Sequence, residues 1–252
     1  MATETTSGPP GRPLVIAHRG ASATAPENTI AAFEQAIADG ADGIELDLHL
    51  SRDDQLVVIH DASVGRTTNG SGAVRDRTLR ELKRLDAGGW RGPRFEGQRI
   101  QTLQEVFERF RDRTRFWIEL KGSSDRYPGI EERVVSTIEI YDVLDRALIQ
   151  SFDRSALDQI KSLNREVRIG VLTDRRPLRA MIRSLVAPCA LCPRADTVTD
   201  DDIAQMRAAG LNCYVWTVNE PAQMDRLIDY GVRGIVTDRP ELLRTRLDRS
   251  MA

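Results

Sequence analysis

The chain has 252 residues, 36 basic against 38 acidic side chains, and three cysteines. That length holds one large domain or two small ones, and single α/β barrels commonly fall in this range. A formal charge of -2 gives no reason to expect a nucleic-acid-binding body, and 40% apolar with 29% charged residues describes a soluble globular protein.

Residues 1–12 hold Thr, Ser, Gly and Pro without an apolar run. They read as a disordered leader, not a secretory signal. No apolar run approaches the roughly 20 residues that span a bilayer. A cytoplasmic protein without a stable membrane anchor is expected.

From residue 13 onward, short β-branched runs alternate with helical patterns. The strand candidates are Leu14–Ala17, Gly43–Leu48, Phe116–Leu120, Ala147–Gln150, Val167–Leu172, Ala190–Cys192, Cys213–Thr217 and Gly234–Val236. Most precede an amphipathic stretch, such as Thr29–Asp39, with Ile30, Phe33 and Ile37 at helical spacing, or Pro221–Tyr230. Gly40, Gly210 and Gly231 stand where helices end. Asp200–Asp202 and Asn219-Glu220-Pro221 read as helix starts.

One further strand, Leu56–His60, breaks the alternation. Only Ser51–Gln55 separates it from the second strand, too short for a parallel crossover of about a dozen residues, so it reads as a hairpin excursion. Eight strands remain, each but the last followed by enough chain for a helix. This is the arithmetic of an α/β TIM (β/α)8 barrel, a single domain over residues 13–252. The surplus length between Asp61 and Arg113 predicts an insertion, centred on Thr67–Gly97.

Cys189-Ala-Leu-Cys192 has C-x-x-C spacing, and Cys213 stands alone. A structural zinc needs about four ligands and no second pair exists, so buried thiols are the better reading than a redox or metal motif.

In a barrel the active site lies at the C-terminal strand ends. The first strand ends in His18-Arg19-Gly20, the second carries Glu45 and Asp47, and the excursion ends in His60-Asp61. The third barrel strand ends in Glu119 and Lys121, the seventh carries Trp216, and Asp238 follows the eighth. Residues two apart on a strand share a face, so Glu45 points with Asp47, and Glu119 with Lys121. Three carboxylates converging in a barrel interior need compensation. A hard divalent cation held by oxygen supplies it better than a structural network with Lys121 and Arg19, and residue types do not separate Mg²⁺ from Ca²⁺.

Only three histidines and three lysines occur in the chain, which gives their positions weight. His18 and His60 at strand ends beside the acidic trio suit proton transfer. Arg19 offers a planar fork for phosphate oxygens and Lys121 a point charge. Together these groups suggest an anionic phosphorus centre. His49 shares parity with Asp47 and receives no role. Thr67–Gly72 reads as a plain turn ahead of a phosphate loop, because it lacks the Walker lysine. Trp216 suits either stacking on a small polyol or core packing.

The segments His18-Arg19-Gly20, Pro26-Glu27-Asn28-Thr29, Gly43–Asp47, Val57–Asp61, Arg66–Gly70 and Ile118–Lys121 resemble, in order, the glycerophosphodiester phosphodiesterases. So do Gln150–Asp153, Val215–Asn219 and Gly234–Pro240. The resemblance implies a TIM barrel with an insertion after the His60 segment. It implies Glu45, Asp47 and Glu119 as ligands of one divalent cation, Mg²⁺ or Ca²⁺. It implies His18 and His60 as the acid–base pair, with Arg19 and Lys121 on phosphate and Glu27 beside the pocket. The implied reaction converts a small-molecule glycerophosphodiester to sn-glycerol 3-phosphate and an alcohol. The rival readings are a lysophospholipase D-type lipid phosphodiesterase and a non-catalytic binder of phosphorylated polyols.

Overall fold

The structure is a computed structural model, described for residues 12–175 and 190–249. The leader, apart from Arg12, and Cys189 of the C-x-x-C pair lie outside the described residues. Cys192 and Cys213 are buried, and burial pushes the Cys213 thiol up to about 12.

Eight parallel strands close on themselves. β1 (Leu14–Ala17) pairs with β2 (Gly43–Leu50) on one side and β10 (Gly234–Thr237) on the other. Between them the ring runs through β5 (Arg115–Leu120), β6 (Ala147–Ser151), β7 (Arg168–Thr173), β8 (Ala190–Pro193) and β9 (Asn212–Val215). The excursion is the expected hairpin: β3 (Leu56–Val58) runs antiparallel to β2, with Leu48 opposite Val58. It stops two residues short of His60, so that His60 leaves the ladder at a turn.

Period-two alternation explains both cores. Ile44, Leu46, Phe116, Ile118 and Val215 face outward into a large cluster with the helices. The helix Leu103–Phe110 shows how: Leu103, Val106, Phe107 and Phe110 recur at helical spacing and are buried, and a Thr102–Glu105 capping box starts it. Leu14, Ile16, Trp117, Leu148, Tyr214 and Val236 face inward and form a separate apolar floor. There Trp117 and Tyr214 meet edge-to-face with centroids 5.3 Å apart. Glycine opposite them is a steric need, since a Cβ on Gly43 would lie 2.3 Å from Trp117 Cζ3.

The surplus length falls between β3 and β4 (Gln101–Thr102), which pairs antiparallel with β3. Val64, Val74, Leu82, Ala87 and Ile100 pack there against Val57 and Ile59 as a small core of their own. Helix Leu103–Phe110, inside the range expected for the insertion, already belongs to the barrel wall. Two expectations need adjusting. The last strand does have a helix after it, Pro240–Arg249, and Trp216 follows the end of β9, bridged to Arg194. Among the described residues no helix is long and apolar enough to cross a membrane.

Candidate active site

β2 and β5 lie side by side with Asp47 opposite Glu119. Their inward side chains bring Glu45, Asp47 and Glu119 together, all buried, with one carboxylate oxygen from each within 4.8 Å of the others. Lys121 Nζ lies 2.6 Å from Glu119 and 2.9 Å from Asp47. Asn28 Nδ2 donates to Asp47 Oδ2 at 2.8 Å, and Gln150 Nε2 faces Glu45 Oε1 at 3.5 Å.

Burial, reinforced by the charges of Asp47 and Glu119, pushes the Glu45 carboxyl well up. Burial and Asp47 push Glu119 up to about 7. Asp47 goes the other way: burial acts against it, but Lys121 and Arg19 hold its carboxyl below the usual range. The trio therefore carries less than its full negative charge when it has only protein neighbours. An all-oxygen, buried and under-compensated donor set fits a hard divalent cation, whose charge would restore full ionisation.

Each histidine is held by its own carboxylate. His18, just past β1, shares Nδ1 with Asp238 Oδ1 at 2.6 Å. The same carboxylate accepts from Ser22 Oγ at 2.8 Å and Asn219 Nδ2 at 2.6 Å. Burial alone would raise Asp238, and these bonds outweigh it, holding the group at about 2. His60 Nδ1 lies 2.7 Å from Asp61 Oδ1. Burial lowers His60. The sharp turn after β1 makes this possible. Gly20 takes φ 84°, and a Cβ there would sit 2.6 Å from the Ala32 carbonyl carbon. Arg19 thereby donates its backbone N–H to Glu45 at 3.0 Å and its Nη1 to Glu27 at 2.9 Å, with Nε 3.4 Å from Asp47.

A cavity of about 160 Å³ opens over these groups, lined by His18, Arg19, Glu45, His60, Glu119, Lys121 and Trp216 among others. Its apolar side is Phe152, Leu172, Trp216 and Val236. Trp216 serves as both lining and packing: Nε1 donates to the Cys192 carbonyl at 2.7 Å, and Phe152 packs edge-on at 5.6 Å. A larger groove of about 450 Å³, lined by residues such as Leu56, Glu132 and Arg133, contains none of these groups. Glu27 does not line the cavity but stands behind Arg19. The Thr67–Gly72 run is a turn outside the cavity, with Asn69 Oδ1 accepting from Asp86 N at 2.9 Å.

Sequence reasoning placed Asp61 and Asp238 at the strand ends without a role, and held Asn28, Gln150, Arg66 and Phe152 only within matched segments, assigning none of the six to the site. Asp238 and Gln150 had a usable signal, since each lies two residues beyond an inward-facing position. His49 also gains a place. It bridges the Tyr127 hydroxyl at 2.6 Å and the His60 carbonyl at 2.9 Å, and burial lowers it to about 4.

Closed parallel strands with these groups at their C-terminal ends make this an α/β-barrel enzyme. The sequence profile of the Glycerophosphoryl diester phosphodiesterase family matches residues 18–242. A glycerophosphodiester phosphodiesterase of Caldanaerobacter subterraneus subsp. tengcongensis is 44% identical, over 91% of this chain and 96% of its own. The chain belongs to that family. Among solved structures, an Oleispira antarctica phosphodiesterase in complex with the product sn-glycerol-3-phosphate matches with TM-score 0.83 at 30% identity. It covers 94% of this chain and 97% of that one. A glycerophosphodiester phosphodiesterase from Agrobacterium tumefaciens matches with TM-score 0.81 at 30% identity, covering 92% and 99%.

Proposed function

We propose that the protein is a divalent-metal-dependent phosphodiesterase that hydrolyses glycerophosphodiesters to sn-glycerol 3-phosphate and an alcohol in the cytoplasm, as part of glycerolipid turnover. Residues 13–252 act as one catalytic unit in this reading. The observation that carries it is the meeting of Glu45, Glu119, His18, His60, Arg19 and Lys121 around one cavity of about 160 Å³, with Asp47 buried beside the two glutamates. The product complex of the Oleispira antarctica relative supports the same substrate class.

Glu45, Asp47 and Glu119 would hold one Mg²⁺ or Ca²⁺. When bound, the ion polarises the phosphoryl group and lowers the pKa of an oxygen nucleophile. Arg19 and Lys121 receive the phosphate oxygens and balance their charge. His18 and His60 each have Nδ1 engaged by a carboxylate, which leaves Nε2 for proton transfer. One histidine removes the proton of the attacking hydroxyl and the other protonates the departing alkoxide. The attacking hydroxyl is water, which gives glycerol 3-phosphate directly, or the neighbouring glycerol hydroxyl, which expels the alcohol as a cyclic phosphate that a water then opens. Both routes take one oxygen from water, so trapping of the cyclic phosphate by rapid quench separates them.

The test couples glycerol 3-phosphate release to a panel of glycerophosphodiesters, with chelator, Mg²⁺ or Ca²⁺. Undiminished activity in chelator defeats the metal assignment. Near-full turnover by folded His18→Ala or His60→Ala defeats the acid–base pair. One observation favours a second reading. The edge formed by Trp216 and the 47% exposed Phe152 would suit the acyl chain of a lysophospholipid. Faster turnover of lysophosphatidylcholine than of glycerophosphocholine would select it.

A further inference from the structure

We infer that Arg66, supplied by the insertion, is a positioning residue that orients His60 and Arg19 together. One guanidinium makes four hydrogen bonds to two carboxylates. Its Nε donates to Asp61 Oδ2 at 2.7 Å and its Nη2 to Asp61 Oδ1 at 3.0 Å. Its Nη1 donates to Glu27 Oε2 at 2.7 Å and its Nη2 to Glu27 Oε1 at 2.9 Å. Each carboxylate then holds a group of the cavity. Asp61 Oδ1 meets His60 Nδ1 at 2.7 Å, and Glu27 Oε1 accepts from Arg19 Nη1 at 2.9 Å.

The chemistry of arginine is what the junction requires. The planar fork spans two carboxylates at fixed angles, whereas a lysine ammonium is a point charge that would satisfy one and leave the other loose. Asp61 sits immediately after the strand excursion, and without a cation its carboxylate is free to rotate away from His60. The Arg66 clamp on both of its oxygens removes that rotation. On the other arm, Glu27 lies on the loop between β1 and the helix Ile30–Ala38, on the barrel proper. Arg66 therefore ties the insertion to the loop after β1, the segment that also carries His18 and Arg19. The turn that carries it is itself fixed: Thr68 Oγ1 donates to the Val64 carbonyl at 2.7 Å and accepts from Gly70 N at 3.0 Å. Val64 belongs to the insertion's own small core, so the folding of that core sets where the guanidinium stands. Arg66 does not line the cavity and touches no reacting atom. Its effect passes through Asp61 and Glu27.

This inference rests on the assignment of His60 and Arg19 to the reaction, and the experiment separates the two. The full-length enzyme is assayed with glycerophosphocholine and Mg²⁺ or Ca²⁺, as wild type, Arg66→Ala, Arg66→Lys, Asp61→Asn, Arg66→Ala/Asp61→Asn and His60→Ala. Misplacement of a reacting group by about 1 Å costs on the order of 100-fold. The expected result is a fall in kcat of about 10- to 100-fold for Arg66→Ala, a KM rise from the Glu27–Arg19 arm, and little recovery in Arg66→Lys. The double variant is expected to be no slower than the slower of the two single variants, because both changes release the same histidine. Three histidines in the chain give three Hε1 signals by NMR, so the His60 signal, assigned with His60→Ala, can be followed directly. It should move in both Arg66 variants while the His18 signal stays.

Arg66→Ala with kcat within twofold of wild type and an unmoved His60 signal overturns the inference. Losses that multiply in the double variant overturn it too. If Arg66→Ala does not fold, the same comparisons are made on Arg66→Lys and decide the matter. An active His60→Ala refutes the acid–base assignment itself. An inactive His60→Ala beside a fully active Arg66→Ala refutes only the positioning role.

Discussion

Replacing Asp238 by asparagine keeps the outline of the side chain and removes its charge. Both carboxylate oxygens accept only from donors: Oδ1 from His18 and Ser22, and Oδ2 from Asn219. A carboxamide that turns its NH₂ toward Asn219 sets a donor against a donor, and one that turns it toward His18 forces the ring into the opposite tautomer. The magnitude follows from the carboxyl group itself, which burial would raise but which the bonds hold at about 2 against an ordinary 3.8. At about 1.4 kcal/mol per pKa unit, that difference is about 2 kcal/mol once partial exposure is allowed for. A buried donor left unmet costs about 1–3 kcal/mol, part of which the first figure already includes. Asp238→Asn is thus expected to cost about 2–4 kcal/mol, a fall in Tm of about 4–12 °C for a chain of this size. Because the folded pKa lies below the unfolded one, this contribution is fully present above about pH 4. It fades as pH falls from 3.8 toward 2. The stability gap between variant and wild type should therefore narrow in that window. The ring of His18 loses its tautomer-setting acceptor at the same time, and kcat should drop by about 100-fold or more. The assays are urea unfolding from pH 7 to pH 3 and turnover at pH 7.5. A folded variant with more than half of wild-type kcat, or a gap that widens in acid, would refute the reasoning.

Glu45→Gln should raise the Tm of chelator-treated protein by a few degrees, because it removes the cost of burying a carboxyl beside Asp47 and Glu119, a cost that shows in how far Glu45 is pushed up, while Glu45 itself bonds only neutral amides. It should also abolish the rise that saturating Mg²⁺ or Ca²⁺ gives the wild type, about 2.7 kcal/mol at 100 times Kd. A lower Tm in chelator means the trio is not a strained ligand set. His49→Phe keeps the ring but loses the bond to the His60 carbonyl, and should slow kcat several-fold, whereas Tyr127→Phe should cost about 1 kcal/mol of stability and leave kcat alone. Equal kinetic losses in both would remove His49 from the support of His60. Gly43→Ala should destabilise by about 1–3 kcal/mol, since its Cβ lands 2.3 Å from Trp117, and Trp117→Leu in that background should restore part of the loss. Strictly additive denaturation midpoints would show that the clash is relieved elsewhere.

Parity carried much of the site in advance. Glu45, Asp47, Glu119 and Lys121 share inward faces because β-strand side chains alternate, and neighbouring strands in a parallel sheet need no further information to bring them together. The partners of the histidines are a different matter. His18 meets Asp238, 220 positions away, only because β10 closes on β1. An aspartate two residues before Pro240 reads locally as part of a helix start, which hides its inward parity. Arg66 stood in a matched segment, but neither period nor parity gave it a role. Its bonds to Glu27 span 39 positions and depend on how the insertion's small core folds, a property of packing and not of period.

The division of the barrel interior explains why so few polar residues suffice. Below the site, Trp117 and Tyr214 fill the floor against glycines on β2 and β10, leaving apolar packing directly under Glu45 and Glu119. A dry floor lowers the effective dielectric, which is why burial is the largest influence on Glu45, Asp47, Glu119 and Lys121 alike. In that setting each charge acts on its neighbours more strongly than it would in water. The same low dielectric makes an unpaired carboxylate costly, so the floor that strengthens the chemistry also accounts for a ligand set that calls for a cation.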